Sequence, residues 1–354
     1  MNNIEKFQSL LNDEVDGLLL TSRFSRHYAA QYDIAEGVAI VTKAGCRYFT
    51  DSRYIESAHN GIDGFEVLIM DRGNPYSQRI NDAIRDFGVT NLGYEESYMT
   101  VAEFLAYEKK LDARLVPVSA QLAAFRAVKE PYELDRMRKA QEITDRAFAE
   151  VLPRIKAGMT EKELCAELIY CLLKNGGEGL SFEPIVVSGP NTSLPHGVPG
   201  DRKLREGDFI TMDFGVIYQG YCSDMTRTVA LGYATEEMKK VYNTVLQAQL
   251  AGIAATKAGA TGKDIDGAAR QVIAEAGFGP YFGHGYGHSL GLEVHESPNC
   301  SPACNDSIPE NAVCSAEPGI YLPGKFGVRI EDVVVFTKDG CEILTASPKN
   351  LTII

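Results

Sequence analysis

The sequence is poor in positive charge and has no long hydrophobic run. Its 35 Lys and Arg residues are outnumbered by 48 Asp and Glu residues, which gives a formal net charge of −13 and a pI near 5.0. Such a chain is repelled by polyanions, so we expect neither nucleic acid nor membrane as a partner. No apolar run approaches the roughly 18 residues that a membrane helix needs. Because the segment from Met1 to Lys6 also lacks a basic stretch followed by an apolar one, we expect a cytoplasmic protein.

A dense cysteine framework is also missing. Eight cysteines are scattered between Cys46 and Cys341, a distribution that favours reduced, mostly buried thiols. Cys300 and Cys304 form a close pair, but no second Cys or His pair stands at zinc-finger spacing. A structural zinc site is therefore disfavoured.

Length and patterning predict two domains. The chain has 354 residues, of which 45% are hydrophobic and 23% charged, so it is an ordinary globular chain that exceeds the usual size of one compact core. Up to residue 115, short apolar runs such as residues 17–20 and 38–41 alternate with helical spacing, for example over residues 101–111. This pattern predicts an α/β domain over residues 1–127. The charged, proline-containing stretch from Phe125 to Pro131 then introduces a second domain over residues 128–354.

The second domain is predicted to be α+β. Helical patterns run from Glu133 through Ile155, after Thr160, and over residues 236–257 and 262–276. Thr160 and Glu163 have the spacing of a capping box at the start of a helix. Hairpin-like strand pairs separate these helices.

Two of these predicted hairpins carry a carboxylate on each arm. In the first hairpin, Asp213 and Asp224 stand at similar distances from a turn at Gln219-Gly220. They would then lie nearly opposite each other, with Cβ atoms roughly 5 Å apart. Two like charges this close need a cation or a proton between them. The alternative is that both acids point to solvent at the strand ends.

The second hairpin repeats this plan with Glu317 and Glu331 on either side of a turn at Pro323-Gly324. In both segments the first acid is followed by Gly, an Ile-Tyr pair, a turn glycine and the second acid. We interpret the two segments as a diverged internal repeat, related by approximate twofold symmetry. Four carboxylates in one cleft favour hard divalent cations, because oxygen ligands suit manganese-like ions and two ions can clamp a hydrolytic displacement.

Histidines cluster between the two hairpins. Three of the six histidines, His284, His288 and His295, lie within a glycine-rich segment. Its alternating glycines disfavour a helix, which argues against the helical zinc motif, and no acidic ribose ligand follows as dinucleotide binding would require. His196 lies in the turn-rich loop of residues 188–199, a typical rim position for a substrate contact.

Together these motifs resemble the Xaa-Pro peptidase (aminopeptidase P and prolidase) family of pita-bread metallopeptidases. The resemblance covers the whole chain and rests on the three-histidine segment together with Tyr48–Tyr54, Leu194–Gly197, Met212–Gly215, Ser223–Thr228, Glu317–Gly319 and Arg329–Asp332. It implies an α+β pita-bread catalytic domain with an internal pseudo-twofold repeat. A smaller creatinase-like α/β domain would precede it.

The resemblance also implies a role for each candidate residue. Two divalent metal ions are expected, with Mn²⁺ favoured and Co²⁺, Zn²⁺ or Fe²⁺ as alternatives, held by Asp213, Asp224, His288, Glu317 and Glu331. Asp224 and Glu331 would bridge the ions, and Glu317 would also move a proton. His295 would stabilise the oxyanion, His284 would assist the leaving proline nitrogen and His196 would contact the substrate. Arg329 and Tyr321 would support these groups. Relatives suggest a homodimer acting on proline-containing peptides.

Departures from the family pattern bear on the substrate. No arginine occurs from Ser297 to Val313, where prolidases often carry one for the free carboxylate of a dipeptide. We therefore expect an Xaa-Pro aminopeptidase, with an Xaa-Pro dipeptidase as the alternative. Tyr286 stands where the family usually has a small aliphatic residue. A non-catalytic peptide-binding relative and creatine-type amidinohydrolase chemistry are both disfavoured, because all five ligand positions are filled.

Overall fold

The computed structural model describes residues 3–354, so residues 1–2, where the predicted first domain begins, lie outside it. The chain divides into two compact units, Met1–Phe125 and Arg126–Ile354. None of the helices among the described residues is long and apolar enough to cross a membrane.

The first unit is built on one mixed sheet of six strands. The strand order is β4-β3-β2-β1-β5-β6, in which β1–β5, β5–β6 and β3–β4 are parallel and the other neighbours antiparallel. The strands are β1 Gly17–Leu20, β2 Val38–Thr42, β3 Cys46–Thr50, β4 Glu66–Ile69, β5 Asn91–Tyr94 and β6 Arg114–Pro117. The helices are α1 Asn3–Ser9, α2 Arg23–Ala30, α3 Ile55–Gly61, α4 Tyr76–Phe87, α5 Val101–Lys110 and α6 Ser119–Ala127. This confirms the predicted α/β architecture.

The second unit combines four long helices with several small antiparallel sheets. Its helices are α7 Pro131–Val151, α8 Glu161–Lys174, α9 Glu236–Ala255 and α10 Gly262–Glu275, with 3₁₀ turns at Leu152–Arg154, Gly189–Ser193 and Gly279–Tyr281. Its strands are β7 Gly179–Leu180, β8 Ile185–Ser188, β9 Phe209–Phe214, β10 Val216–Tyr218, β11 Tyr221–Cys222, β12 Met225–Ala230, β13 Gly287–Ser289, β14 Glu296–Cys300, β15 Val313–Ala316, β16 Gly319–Leu322, β17 Phe326–Arg329, β18 Asp332–Phe336 and β19 Cys341–Ile343.

Local sequence explains where these helices begin and end. Thr160 and Glu163 form the predicted capping box of α8, which satisfies amides that the first turn leaves without partners. Thr235 and Thr261 cap α9 and α10 through their hydroxyls, each of which accepts from one backbone amide of the first turn. The α-helix predicted to reach Ile155 ends at Val151 instead, because Pro153 lacks the amide hydrogen that a continuing α-helix would use.

The second unit contains two halves with the same order of elements. Two packed helices, α7 and α8, precede strand β8 and the nested hairpin β9–β12. In the other half α9 and α10 precede β13 and the nested hairpin β15–β18. In each hairpin the outer strands pair in one sheet and the inner strands pair in another. The two hydrophobic cores of the unit follow this division, since one lies under α7 and α8 and the other under α9 and α10.

Candidate metal centre

The first hairpin places Asp213 and Asp224 on one face but not directly opposite. Asp213 pairs across from Thr226, and the matching register of Met225–Phe214 and Cys222–Ile217 puts Asp224 across from Gly215. The predicted opposition is therefore wrong by two positions. The turn centres between Gln219 and Gly220, which both have positive φ, and Asp224 lies closer to it than Asp213. The two acids are diagonal neighbours, for which roughly 7–8 Å is the usual Cα separation.

The second hairpin places Glu317 and Glu331 directly across from each other. Ala316–Asp332 and Gly319–Arg329 share one register, and the two glutamates lie between these pairs. The backbone amides of both glutamates leave the ladder, since Glu317 donates to the Tyr286 carbonyl and Glu331 to the Thr226 carbonyl. Because these bonds reach β12 and the glycine-rich segment, they join the second hairpin to the other two parts of the centre.

Three side chains from separate parts of the fold converge on one point. Asp224, His288 and Glu331 each offer a ligand atom within 4.8 Å of the others. Asp224 and Glu331 are 3% and 1% exposed. One carboxylate oxygen of Asp213, of Asp224 and of Glu331 is buried without a hydrogen-bond partner among the described residues. Buried carboxylate oxygens are normally paired or metal-bound, so this donor set fits a divalent cation.

His288 is oriented for metal binding. Its Nδ1 lies 3.2 Å from the Ser289 carbonyl oxygen, which favours a proton on Nδ1 and leaves the Nε2 lone pair free. Nε2 lies 3.3 Å from Glu317 Oε1 and 3.7 Å from Asp224 Oδ2. The Ser315 hydroxyl accepts from the His288 amide and donates to Glu317. Ser315 thus fixes the separation of His288 and Glu317.

Burial and mutual repulsion raise the proton affinity of the carboxylates. Burial and the neighbouring Glu331 raise the pKa of Asp224 well above its ordinary value. Burial and Glu317 do the same to the pKa of Glu331, and burial raises the pKa of Glu317. Burial lowers the pKa of His288. Neutral acids and a neutral imidazole are therefore favoured until a cation is bound.

Arg329 connects Asp213 to the histidine side of the site. Its guanidinium donates to Asp213 Oδ2 at 2.5 Å, to the Tyr321 hydroxyl at 2.9 Å and to the Thr226 hydroxyl at 3.0 Å. The Thr226 hydroxyl in turn donates to Glu331 at 2.6 Å. Arg329 therefore contacts the carboxylate cluster directly, and Tyr321 is joined to it through Arg329.

His284 lies at the end of this chain of hydrogen bonds. Its Nε2 is 2.9 Å from the Tyr321 hydroxyl and its Nδ1 is 2.8 Å from the Gly285 carbonyl oxygen. Since a carbonyl only accepts, Nδ1 carries the proton and Nε2 accepts from Tyr321. Burial lowers the pKa of His284, which favours this neutral form. Asp266 and Arg270 hold its segment, since Arg270 donates to the His284 carbonyl and Asp266 accepts from the Tyr286 amide.

His295 lies beside His288, with ring centroids 4.3 Å apart. The next residue, Glu296, forms ion pairs with Arg126 and with Lys129, whose Nζ lies 3.1 Å away. Lys129 also reaches the Ser289 hydroxyl at 3.5 Å. This buried ion cluster therefore ties together the two ends of the segment that carries His295.

His196 is exposed, as is His295, whereas His284 and His288 are half-buried. His196 lies on the loop after β8, and the backbone carbonyl of the preceding Pro195 accepts from Arg329 at 3.2 Å. Arg329 thus brings this loop to the same site as Asp213 and Tyr321. A substrate contact by His196 stays a prediction.

Sequence reasoning missed several residues that hold the site together. Thr226 lies inside the Ser223–Thr228 motif, but its bonds to Glu331 and Arg329 depend on the three-dimensional fold. Glu161 and Lys129 are distant in sequence from the residues they contact, and Asp266 accepts from the Tyr286 amide 20 residues away. In the sequence, each of them is only a charged residue at a position where the pattern of a helix or a strand end would place an apolar one.

The fold and this cluster together fit a protein that binds a divalent cation. The model of metallopeptidase family M24 matches residues 135–338, and that of the creatinase/prolidase N-terminal domain matches residues 4–128. The chain therefore belongs to metallopeptidase family M24, within the Xaa-Pro peptidase family of pita-bread enzymes that the motifs predicted.

Individual relatives agree over almost the full length. The uncharacterized peptidase YqhT of Bacillus subtilis (strain 168) is 39% identical over 353 residues, which is 99% of each chain. The solved structure of an Xaa-Pro dipeptidase from Bacillus anthracis has a TM-score of 0.95 at 38% identity and 99% coverage of both chains. That of an X-Pro aminopeptidase from Thermotoga maritima MSB8 has a TM-score of 0.94 at 37% identity and 100% coverage of both.

Proposed function

We propose that this protein is a metal-dependent exopeptidase that hydrolyses the bond between an N-terminal residue and a following proline. The observation that carries the proposal is the convergence of Asp224, His288 and Glu331, with buried carboxylate oxygens that lack partners among the described residues. Similar chains named as X-Pro aminopeptidase and Xaa-Pro dipeptidase support the substrate class.

Two divalent ions are proposed at this centre, with Mn²⁺ favoured. Asp224 and Glu331 would bridge them, Asp213 would complete one site, and His288 with Glu317 the other. When bound, the ions would lower the pKa of a water and polarise the scissile carbonyl. Asp213 keeps one oxygen for this task while Arg329 holds the other.

The chain's own groups would then bind the peptide and move protons. Glu317 would take a proton from the attacking water, because its carboxylate lies within the cluster, 3.3 Å from His288 Nε2. His295 would donate to the oxyanion, and His284, held by Tyr321, would assist the leaving proline nitrogen. His196 would contact the substrate from the loop.

An aminopeptidase acting on longer peptides is favoured over a dipeptidase. A dipeptide presents a free carboxylate near the scissile bond, for which a bidentate arginine is the strongest and most specific partner. Arg329 is already engaged by Asp213, Tyr321 and Thr226, and residues 297–313 contain no arginine. The name of the Bacillus anthracis relative keeps the dipeptidase as the second candidate. The homodimer and the cytoplasmic location stay predictions from the sequence.

The test is a comparison of Ala-Pro with Ala-Pro-Ala as substrates in the presence of Mn²⁺. We expect the tripeptide to be cleaved with the higher kcat/KM, and exhaustive chelation to abolish both activities. A strong preference for Ala-Pro would make the protein a dipeptidase. Full activity after metal removal, or no cleavage of either peptide by the Mn²⁺-loaded protein, would contradict the proposal.

A further inference from the structure

A buried carboxylate outside the metal centre closes the loop that carries His196. Glu161 is the first residue of α8, and its side chain is fully buried, with 0% exposure. No ion pair accounts for its charge among the described residues. Instead, its two oxygens accept hydrogen bonds from both ends of one loop. Burial of an ionised or polar group costs free energy, which these hydrogen bonds offset.

The bonds divide between the two ends of the loop. Oε1 accepts from the Ser188 amide at 2.7 Å, from the Ser188 hydroxyl at 2.9 Å and from the Asn191 side-chain amide at 3.0 Å. Oε2 accepts from the Gly200 amide at 2.9 Å. The Ser188 hydroxyl can donate to Glu161 because it accepts from Arg202 at 2.6 Å. Segment 188–200 therefore forms a compact loop whose ends meet at one carboxylate.

The middle of the loop is fixed to the metal centre's own hairpin. The Thr192 hydroxyl accepts from the Gly327 amide at 2.8 Å, and the Pro195 carbonyl accepts from Arg329. His196 directly follows Pro195 and is exposed. Leu194 and Val198, two residues to either side of it, are 57% and 83% exposed. The loop therefore presents an imidazole and two apolar side chains to solvent from a base that is held in place.

We propose that Glu161 is the positioning residue that fixes the His196 loop in its substrate-contacting conformation. The inference rests on the proposed function, in which His196 contacts the peptide. All four groups facing Glu161 are donors, so two acceptor oxygens are required. An amide of the same shape supplies one acceptor oxygen and turns an NH₂ group toward a donor. Pre-ordering the loop spares the entropy of ordering it when a peptide binds.

The principal variant is Glu161→Gln, compared with Glu163→Gln as a matched control on the same helix. Glu163 is exposed and its carboxylate bonds at the helix cap rather than to the loop. We expect Glu161→Gln to raise KM for Ala-Pro-Ala by roughly tenfold with kcat changed less than about threefold. Affinity for Mn²⁺, measured by calorimetry, should stay within about threefold of the parent because no ligand moves. Glu163→Gln should leave all three quantities unchanged.

A double-mutant cycle with His196→Ala separates positioning from general destabilisation. If Glu161 acts through His196, the substitution His196→Ala should raise KM far less in the Glu161→Gln background than in the parent. The proposal would be overturned if the two substitutions raised KM independently, so that the increase in the double variant were the product of the single increases. It would also be overturned if Glu161→Gln weakened Mn²⁺ binding as much as it raised KM. Asn191→Ala removes one of the four donors and should give a smaller rise in KM, which keeps the test decisive if Glu161→Gln does not fold.

Hydrogen exchange distinguishes failure of this inference from failure of the proposed function. Amides of residues 189–199 should exchange faster in Glu161→Gln than in Glu163→Gln, whatever the substrate is. Unchanged exchange would show that Glu161 does not hold the loop. Faster exchange together with no Xaa-Pro cleavage by the parent protein would leave the loop assignment standing and remove the proposed substrate.

Discussion

The carboxyl groups of the centre outnumber the positive side chains that contact them. Arg329 pairs with Asp213, while Asp224, Glu317 and Glu331 share one buried space and their pKa values are raised. Buried acids in such an arrangement lower the stability of the metal-free protein. Asp266, by contrast, is equally buried but forms a two-bond ion pair with Arg270. The same substitution should therefore have opposite effects on stability at these positions.

Replacement of Asp224 by Asn should stabilise the metal-free protein and abolish metal binding. The amide keeps the shape of the side chain but cannot ionise, so folding no longer requires this buried acid to stay protonated at neutral pH, and the free energy of unfolding should rise by on the order of 1 kcal/mol. Loss of a supporting residue costs 10–100-fold in metal affinity, so loss of this ligand should exceed roughly 100-fold. Thermal unfolding with a chelator and calorimetric Mn²⁺ titration measure the two effects.

Asp266→Asn is the control, because it leaves Arg270 without its carboxylate partner. It should lower the free energy of unfolding by roughly 3 kcal/mol while Asp224→Asn raises it. If both variants are destabilised to the same extent in the metal-free state, Asp224 is a structural residue rather than a strained ligand.

Among the secondary-structure elements, helix α9 explains how Tyr286 fits at a position where the family usually has a small residue. The ring is 1% exposed and its hydroxyl donates to the Gln249 carbonyl at 2.8 Å. A Cβ atom on Gly252 would lie 2.2 Å from the ring, so the helix can receive the tyrosine only where it carries glycine. The Tyr286 carbonyl in turn accepts from the Glu317 amide, which links this contact to the metal centre.

Gly252→Ala should therefore destabilise the protein although alanine is the better helix former. Overpacking of a buried site costs roughly 1–3 kcal/mol. Gly267→Ala in α10 is the matched control, since that helical glycine is exposed and a Cβ atom would meet nothing within 4 Å; it should gain roughly 0.5–1 kcal/mol. Thermal unfolding of both variants compares them, and equal shifts would contradict the account of Tyr286.

The hairpins also mark how far the sequence predicts the site. Apolar runs and turn glycines locate all four carboxylates, since a hairpin brings distant residues of one segment together by local rules. Register is harder: the sequence places Asp213 opposite Asp224, whereas the turn geometry offsets them by two residues. Contacts between segments are not predicted at all. Glu161 acts across 39 residues on Gly200, and Lys129 acts across 167 on Glu296, and neither distance leaves a periodic signal.

At the scale of the whole molecule, all the proposed ligands lie in the second unit, at the meeting point of its two halves. Asp213 and Asp224 come from one half, and His288, Glu317 and Glu331 from the other. A cation bound there holds both halves together only in the folded chain, because the ligands are far apart in sequence. Metal binding is therefore expected to add to folding stability, by roughly 2.7 kcal/mol at a free metal concentration a hundred times the dissociation constant.

This stabilisation by metal should grow as the pH rises. The carboxyl pKa values of Asp224, Glu317 and Glu331 are raised in the folded metal-free protein above the ordinary 3.8 and 4.5. Below those ordinary values both states are protonated and nothing is lost. Above them the unfolded chain releases protons that the folded protein retains, so metal-free stability falls with rising pH until the raised pKa values are passed. A bound cation favours the ionised acids, so the metal-loaded protein escapes this loss.

The measurement is the difference in melting temperature between Mn²⁺-loaded and chelator-treated protein at about pH 5.5 and about pH 8, at fixed free Mn²⁺. We expect the larger difference at the higher pH, with most of the change coming from a lower melting temperature of the metal-free protein. Asp224→Asn provides the control: without this ionisable group and without metal binding, the two curves should coincide at both pH values. A metal-induced shift in the parent that is the same at both pH values would mean that the carboxylates are already ionised before the metal arrives, and the electrostatic account of the centre would have to be abandoned.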